Sequence, residues 1–126
     1  MRLLLDTHIF LWAAVGSASL KAGARRMIQE ADAVFVSAAS LWEIAIKAHL
    51  GKLQADPNAL VAAIDDSGFI ELPIRAVHAA GVAKLPALHK DPFDRLLIAQ
   101  SVAEPLRFLT ADTTLKAYGD LVEVAD

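Results

Sequence analysis

The chain has 126 residues, 56% of them hydrophobic, no cysteine and a formal net charge of -3. That length suits one domain over residues 1–126 with a real core, and the missing thiols exclude disulfides and thiolate metal or redox sites. The negative balance excludes a broad basic surface for polyanions, though not a nuclease whose metal ions supply positive charge.

The apolar excess is not transmembrane, because uncharged runs fall short of a membrane span, and Asp6 interrupts a signal-peptide reading of the N-terminus. Surface covered by a partner is the expected sink for it. A reducing cytosol is compatible with this composition.

Arg2–Thr7 (RLLLDT) opens the chain with three consecutive leucines and no alternation, the pattern of a strand buried on both faces. Asp6 closes that strand, either capping the next helix or standing at the crevice beyond the strand ends where open α/β sheets do chemistry. Thr7–Val15 reads as a short apolar helix, and Leu20–Ala31 as an amphipathic one. Ala33–Ser37 is a second buried strand, and helix follows from about Ala39 to Leu50, stopped by Gly51. Asp56-Pro57 starts a fourth helix that ends at Gly68, and Phe69–Leu72 is the third strand. Ile74 to about Leu85 reads as helix, then the loop PALHK. Pro92–Glu104 reads as the best amphipathic helix of the chain. Arg107–Thr110 is strand four, Thr113–Tyr118 a short helix, and Leu121–Val124 strand five. Strands alternating with helices predict βαβ units, hence a three-layer α/β/α domain with a central, mostly parallel five-stranded sheet.

Five carboxylates fall where this fold gathers them. Asp6 ends strand one, Glu43 lies a turn into the helix after strand two, Asp91 and Asp94 begin the long helix, and Asp112 follows strand four. Each aspartate also has a local use. Asp6, Asp91 and Asp112 can cap helices, and Asp94 occupies the capping-box partner position. Glu43 has only a surface pairing with Lys47 to explain it locally. Two carboxylates ~4 Å apart repel by roughly 4 kcal/mol at an effective dielectric of ~20, so converging acids protonate, separate or bind a cation. An all-oxygen site suits Mg²⁺ or Mn²⁺, and such a site serves water attack on a phosphodiester.

Rival motifs are weak. There is no GxGxxG or P-loop, the four histidines lack HExxH spacing and read as structural or solvated, and Ser37, Ser40 and Thr110 lack a nucleophile elbow. Lys47, Lys90 and Arg95 lie near the acids in sequence, placed to touch phosphate or to pair with a carboxylate.

With those residues in place the chain resembles the PIN-domain ribonucleases, specifically VapC-like toxins of bacterial toxin–antitoxin pairs. LLLDTHIFLW, SAASLWEIAIK, HKDPFDRLLIAQS and FLTADTTLKAYG carry the resemblance, in family order across nearly the whole chain. It implies an acidic site of Asp6, Glu43, Asp94 and Asp112, all metal-holding, with Thr7 and Thr110 as neighbouring hydroxyls. It further implies a Mg²⁺-dependent (or Mn²⁺-dependent) cytoplasmic endoribonuclease, paired as a homodimer and neutralised by a small antitoxin. Asp6 and Asp94 are the expected direct ligands. Glu43 and Asp112 complete the site and orient water, and Asp91 is expected to cap rather than ligate. Thr7, Lys47, Arg95 and Thr110 are the expected RNA contacts. His8 stands where many relatives carry Asn. Two other classes compete: a phospho-receiver-like signalling domain with an acidic Mg²⁺ pocket, and a non-catalytic RNA-binding module. The receiver class needs an acid after strand three, where this chain has Leu72-Pro73. Phe10, Leu11, Trp12, Leu41 and Trp42 are expected to form the apolar surface for association.

Overall fold

The computed structural model describes residues 1–125. Strands β1 (Arg2–Leu5), β2 (Ala33–Ser37), β3 (Ile70–Leu72), β4 (Arg107–Thr110) and β5 (Val122–Val124) form one sheet in the order β3-β2-β1-β4-β5. Every neighbouring pair is parallel, so the sheet is wholly rather than mostly parallel among the described residues. The helices are α1 (Thr7–Val15), α2 (Ala22–Glu30), α3 (Ala38–His49), α4 (Pro57–Asp66), α5 (Ala76–Gly81) and α6 (Pro92–Ala103). Short 3-10 turns cover Val82–Lys84 and Thr113–Tyr118.

The leucine run behaves as its pattern requires. Successive strand side chains point to opposite faces. Leu3 and Leu5 therefore join one core cluster, with Ile9, Phe10, Ala24, Ile44, Leu60 and Ile64, while Leu4 joins another with Leu97, Ile98, Phe108 and Leu115. Both faces of β1 are dry, and all three leucines are fully buried. At about 1.5–3 kcal/mol for each large side chain fully buried, this strand anchors both layers.

Helix limits follow local chemistry. Gly16, at φ 65°, takes the left-handed conformation that ends α1. Asp56 Oδ1 accepts from Asn58 N at 3.0 Å ahead of Pro57, which starts α4. The reading of one helix over Ile74–Leu85 is corrected: α5 starts at Ala76 and gives way to the 3-10 turn at Val82. His78 explains its start, because its Nδ1 accepts from Arg75 N at 2.9 Å and caps the first turn. The reading of α6 as the most amphipathic helix is also corrected. Leu97, Ile98, Ala99, Gln100 and Ser101 are buried in succession, a run that covers more than one turn and leaves no outward face there. The one-sided helix is instead α2, where only Ala24 is fully buried.

Association surface differs from expectation too. Phe10 is core, Leu11, Trp12 and Leu41 are half-buried, and only Trp42 of that set is exposed. No helix among the described residues is long and apolar enough to cross a membrane.

Candidate active site

Strand β1 pairs with β2 on one side and β4 on the other, so the chain order reverses at β1. The crevice beyond the carboxyl ends of such strands is where open α/β sheets bind ligands. Asp6 leaves β1 there, and Thr110 and Asp112 leave β4 there.

Asp6 is only 6% exposed. Its Oδ1 accepts from Thr7 N at 2.7 Å, and its Oδ2 accepts from Thr110 Oγ1 at 2.6 Å. Burial nevertheless wins and raises its pKa, with the nearby Glu43 charge adding in the same direction. Thr110 Oγ1 in turn accepts from Asp112 N at 3.0 Å, so one buried hydroxyl ties the two acidic strand ends together.

Glu43 comes from α3, whose N-cap is Ser37 at the end of β2, Oγ accepting from Ala39 N at 3.0 Å. At 3% exposure it is as buried as a core residue. Thr7 Oγ1 donates to Glu43 Oε1 at 2.7 Å, and Lys47 Nζ donates to Oε2 at 2.6 Å. Because Thr7 has a single hydroxyl proton, Ser40 Oγ, 2.9 Å from Thr7 Oγ1, must be the donor of that second contact. The Glu43 bond is the largest cause raising the Lys47 pKa, and the charges of Asp91 and Asp94 add to it. The ammonium therefore lies within the field of both helix-α6 acids.

Asp91 and Asp94 divide the work at the start of α6. Asp91 Oδ1 accepts from Phe93 N at 2.8 Å and Asp94 N at 3.1 Å, the cap expected of it. Asp94 is free of capping. Its pKa is pushed up to about 7, first by burial and then by the charges of Asp6 and Asp91, with His89 opposing. His89 Nε2 and Asp94 Oδ2 share a hydrogen bond at 2.9 Å. Asp112 behaves differently. It caps the following turn by accepting from Thr114 N and Thr114 Oγ1, at 3.0 and 2.6 Å, and the hydroxyl bond is the main cause lowering its pKa.

Asp6 thus lies within electrostatic reach of both Glu43 and Asp94. Asp112 is joined to Asp6 through Thr110. One ligand atom each from His89, Asp94 and Asp112 lies within 4.8 Å of the others. The donors are chiefly carboxylate oxygens with one imidazole, a set that fits a hard divalent cation such as Mg²⁺ or Mn²⁺. Two acids with raised pKa in one crevice are carboxyls whose negative charge the protein itself leaves uncompensated.

The sequence pattern missed His89 and Ser40. For Ser40 the signal was its position three residues before Glu43 on one helix face; for His89, its place two residues before the Asp91 cap. Arg95, expected at the nucleic acid, is engaged elsewhere. Its guanidinium donates to Pro86 O, Val82 O and Tyr118 Oη at 3.0, 3.2 and 3.1 Å, fastening the loop before α6. The order β3-β2-β1-β4-β5 also departs from the 2-1-3-4-5 order of flavodoxin-like sheets, which removes the receiver alternative.

Among known families, the PIN domain model matches residues 3–121. No curated protein sequence matches the chain. Among solved structures, it superposes on VapBC2 from Rickettsia felis bound to a promoter DNA fragment, with TM-score 0.72, 17% identity and 100% of both chains covered. It also superposes on VapC20 from Mycobacterium tuberculosis, a sarcin-ricin loop cleaving toxin, with TM-score 0.62, 20% identity and 98% and 99% of the two chains covered. FitAcB from Neisseria gonorrhoeae gives TM-score 0.65 at 19% identity over 95% of each chain.

Proposed function

Because the chain belongs to the PIN domain family, we propose that it is a divalent-metal-dependent endoribonuclease that acts as the toxin of a toxin–antitoxin pair. The observation that carries this reading is the convergence at the sheet's switch point of Asp6 and Asp94, two carboxyls whose pKa burial raises, with the Asp6 charge adding to the rise at Asp94. Fold likeness to VapBC, VapC20 and FitAcB supports the toxin assignment.

Asp6 and Asp94 would hold the metal, with Asp112 and Glu43 completing its surroundings. Bound there, Mg²⁺ or Mn²⁺ supplies Lewis-acid polarisation of a phosphodiester and lowers the pKa of its water. The chain's own contribution is orientation. Thr110 fixes one Asp6 oxygen and the Asp112 backbone, so the two acids keep a constant separation. Thr7 and Lys47 take one Glu43 oxygen each, which holds that carboxylate in a fixed orientation. Glu43, so held, positions the attacking water. Thr7, Thr110 and Lys47 line the approach of the RNA.

The partners follow from the same reading. A small antitoxin would insert a cation among these carboxylates and compensate their charge. The protein would pair as a homodimer across the α3–α4 side, where exposed Val61 lines a hollow with Ala38, Leu41, Ile64 and Glu71. Cytoplasmic RNA is the substrate pool. The test is incubation of purified protein with total RNA. Cleavage is expected in Mg²⁺ or Mn²⁺, lost in EDTA and lost in Asp94→Asn. Cleavage that survives both EDTA and the substitution overturns the reading.

A further inference from the structure

Two aromatic rings pack together between the helices that carry Glu43 and Asp94. Trp42 immediately precedes Glu43 on α3, and Phe93 immediately precedes Asp94 on α6. Their ring centroids are 5.1 Å apart with planes at 75°, so the pair bridges the two helices that deliver the acids. Trp42 is nevertheless 58% exposed, whereas Glu43 beside it is 3% exposed. The edge contact with Phe93 fixes the indole in orientation while leaving much of it in water. Resting on the nuclease reading, we propose that Trp42, braced by Phe93, is a stacking platform for an unpaired base of a single-stranded RNA substrate.

Three physical arguments select a base over other occupants. Without a bound metal, phosphate meets repulsion here, because the chain carries net charge -3 and the crevice gathers carboxylates. Two cations of these helices are already engaged, Lys47 with Glu43 and Arg95 with the Val82–Pro86 loop and Tyr118. A base is neutral and meets no such repulsion, and stacking on an aromatic side chain is a main source of sequence-tolerant affinity in single-strand binders. The second argument is size. The other exposed large apolar residues of these helices, Leu50 and Val102, stand at their far ends. A half-open indole offers on the order of 150 Å², against about 800 Å² per partner in a standard protein interface. The third is continuity: Phe93, which touches Trp42, immediately precedes Asp94, so a base on Trp42 directs its adjoining phosphate toward the start of α6. A duplex hides its base faces in the stack, so the substrate class is unpaired RNA, in a loop or a free strand.

Trp42 can be read directly, because the chain's only other tryptophan is Trp12. In a Trp12→Phe protein kept in EDTA, a short single-stranded RNA of mixed sequence is expected to quench the remaining fluorescence saturably, and the same strand in a duplex to leave it unchanged. Labelled-RNA anisotropy should show Trp42→Ala binding roughly 5- to 150-fold more weakly. Trp42→Tyr should restore most of that loss, with melting temperature unchanged in both. Binding by Trp42→Ala at wild-type strength overturns the proposal, as does dissociation of a dimer by that variant with RNA affinity per protomer unchanged. If wild type cleaves RNA in Mg²⁺ and Trp42→Ala cleaves it with the same KM, the platform falls while the nuclease reading stands. If wild type neither binds nor cleaves RNA in Mg²⁺ or Mn²⁺, both fall.

Discussion

Replacing Asp94 by Asn should stabilise the metal-free protein, and by an amount that grows with pH. Folding raises the Asp94 pKa from 3.8 to about 7. Below about pH 4 the side chain is protonated in folded and unfolded chains alike, so it contributes no penalty. Between about pH 4 and 7 the unfolded chain releases a proton that the folded chain retains, and stability falls as pH rises. Above that window the full cost is present. Three pKa units correspond to about 4 kcal/mol. The Asp94 side chain is 17% exposed and faces the crevice mouth, so solvent screening reduces this to about 2 kcal/mol. Asparagine keeps the shape and an oxygen for His89 but has no proton to lose. Urea unfolding in EDTA, at about pH 4.5 and about pH 8, gives the difference between variant and wild type at each pH. The difference should be small at the lower pH and about 2 kcal/mol in favour of Asn at the higher, or roughly 6–10 °C in melting temperature. Saturating Mg²⁺ should then reverse the ranking, since a ligand at a hundred times its Kd adds about 2.7 kcal/mol to the protein that binds it. A difference that does not change with pH would refute the reasoning, because it would mean Asp94 carries no excess charge cost.

The neighbouring acid should respond differently. Asp91→Ala removes a cap serving two backbone N–H groups, so unfolding by denaturant should show a loss of about 0.5–2 kcal/mol with much of the cleavage rate retained. Thr110→Val deletes the hydroxyl that donates to Asp6 and accepts from Asp112 N, and calorimetry should register weaker Mg²⁺ binding together with a stability loss of about 1–3 kcal/mol. Gln100→Leu strips partners from Ser37 Oγ, Pro73 O and His78 Nδ1 inside the core; a destabilisation of about 1–3 kcal/mol is expected in thermal or chemical unfolding. Val61→Lys should leave cleavage by the protomer intact while sedimentation shows a shift toward monomer.

The sequence by itself determined whatever depends on short-range pattern. Three unalternating leucines define a strand dry on both faces whatever surrounds it, and Asp-Pro at 56–57 and 91–92 starts helices because the cap and the fixed φ act within one turn. The alternation of these elements dictates parallel βαβ units, and from that order the carboxylates at residues 6, 43, 94 and 112 fall toward one sheet edge. Tertiary structure alone decided what each charge and ring does there. Asp91 and Asp94 are chemically alike and three residues apart, but only the fold sets Asp94 against Asp6 and His89 while Asp91 turns back to its own helix. Arg95 looks like a phosphate contact until the folded loop offers it two carbonyls and a tyrosine hydroxyl. The same holds for α6, whose buried run Leu97–Ser101 shows no single stripe because it is enclosed on more than one side. It holds too for Phe10 and Trp42, one sealed in the core and the other left exposed against Phe93. Local propensity acts through a few backbone bonds, whereas burial, field and exposure depend on which distant segments arrive, and those are fixed only when the sheet assembles.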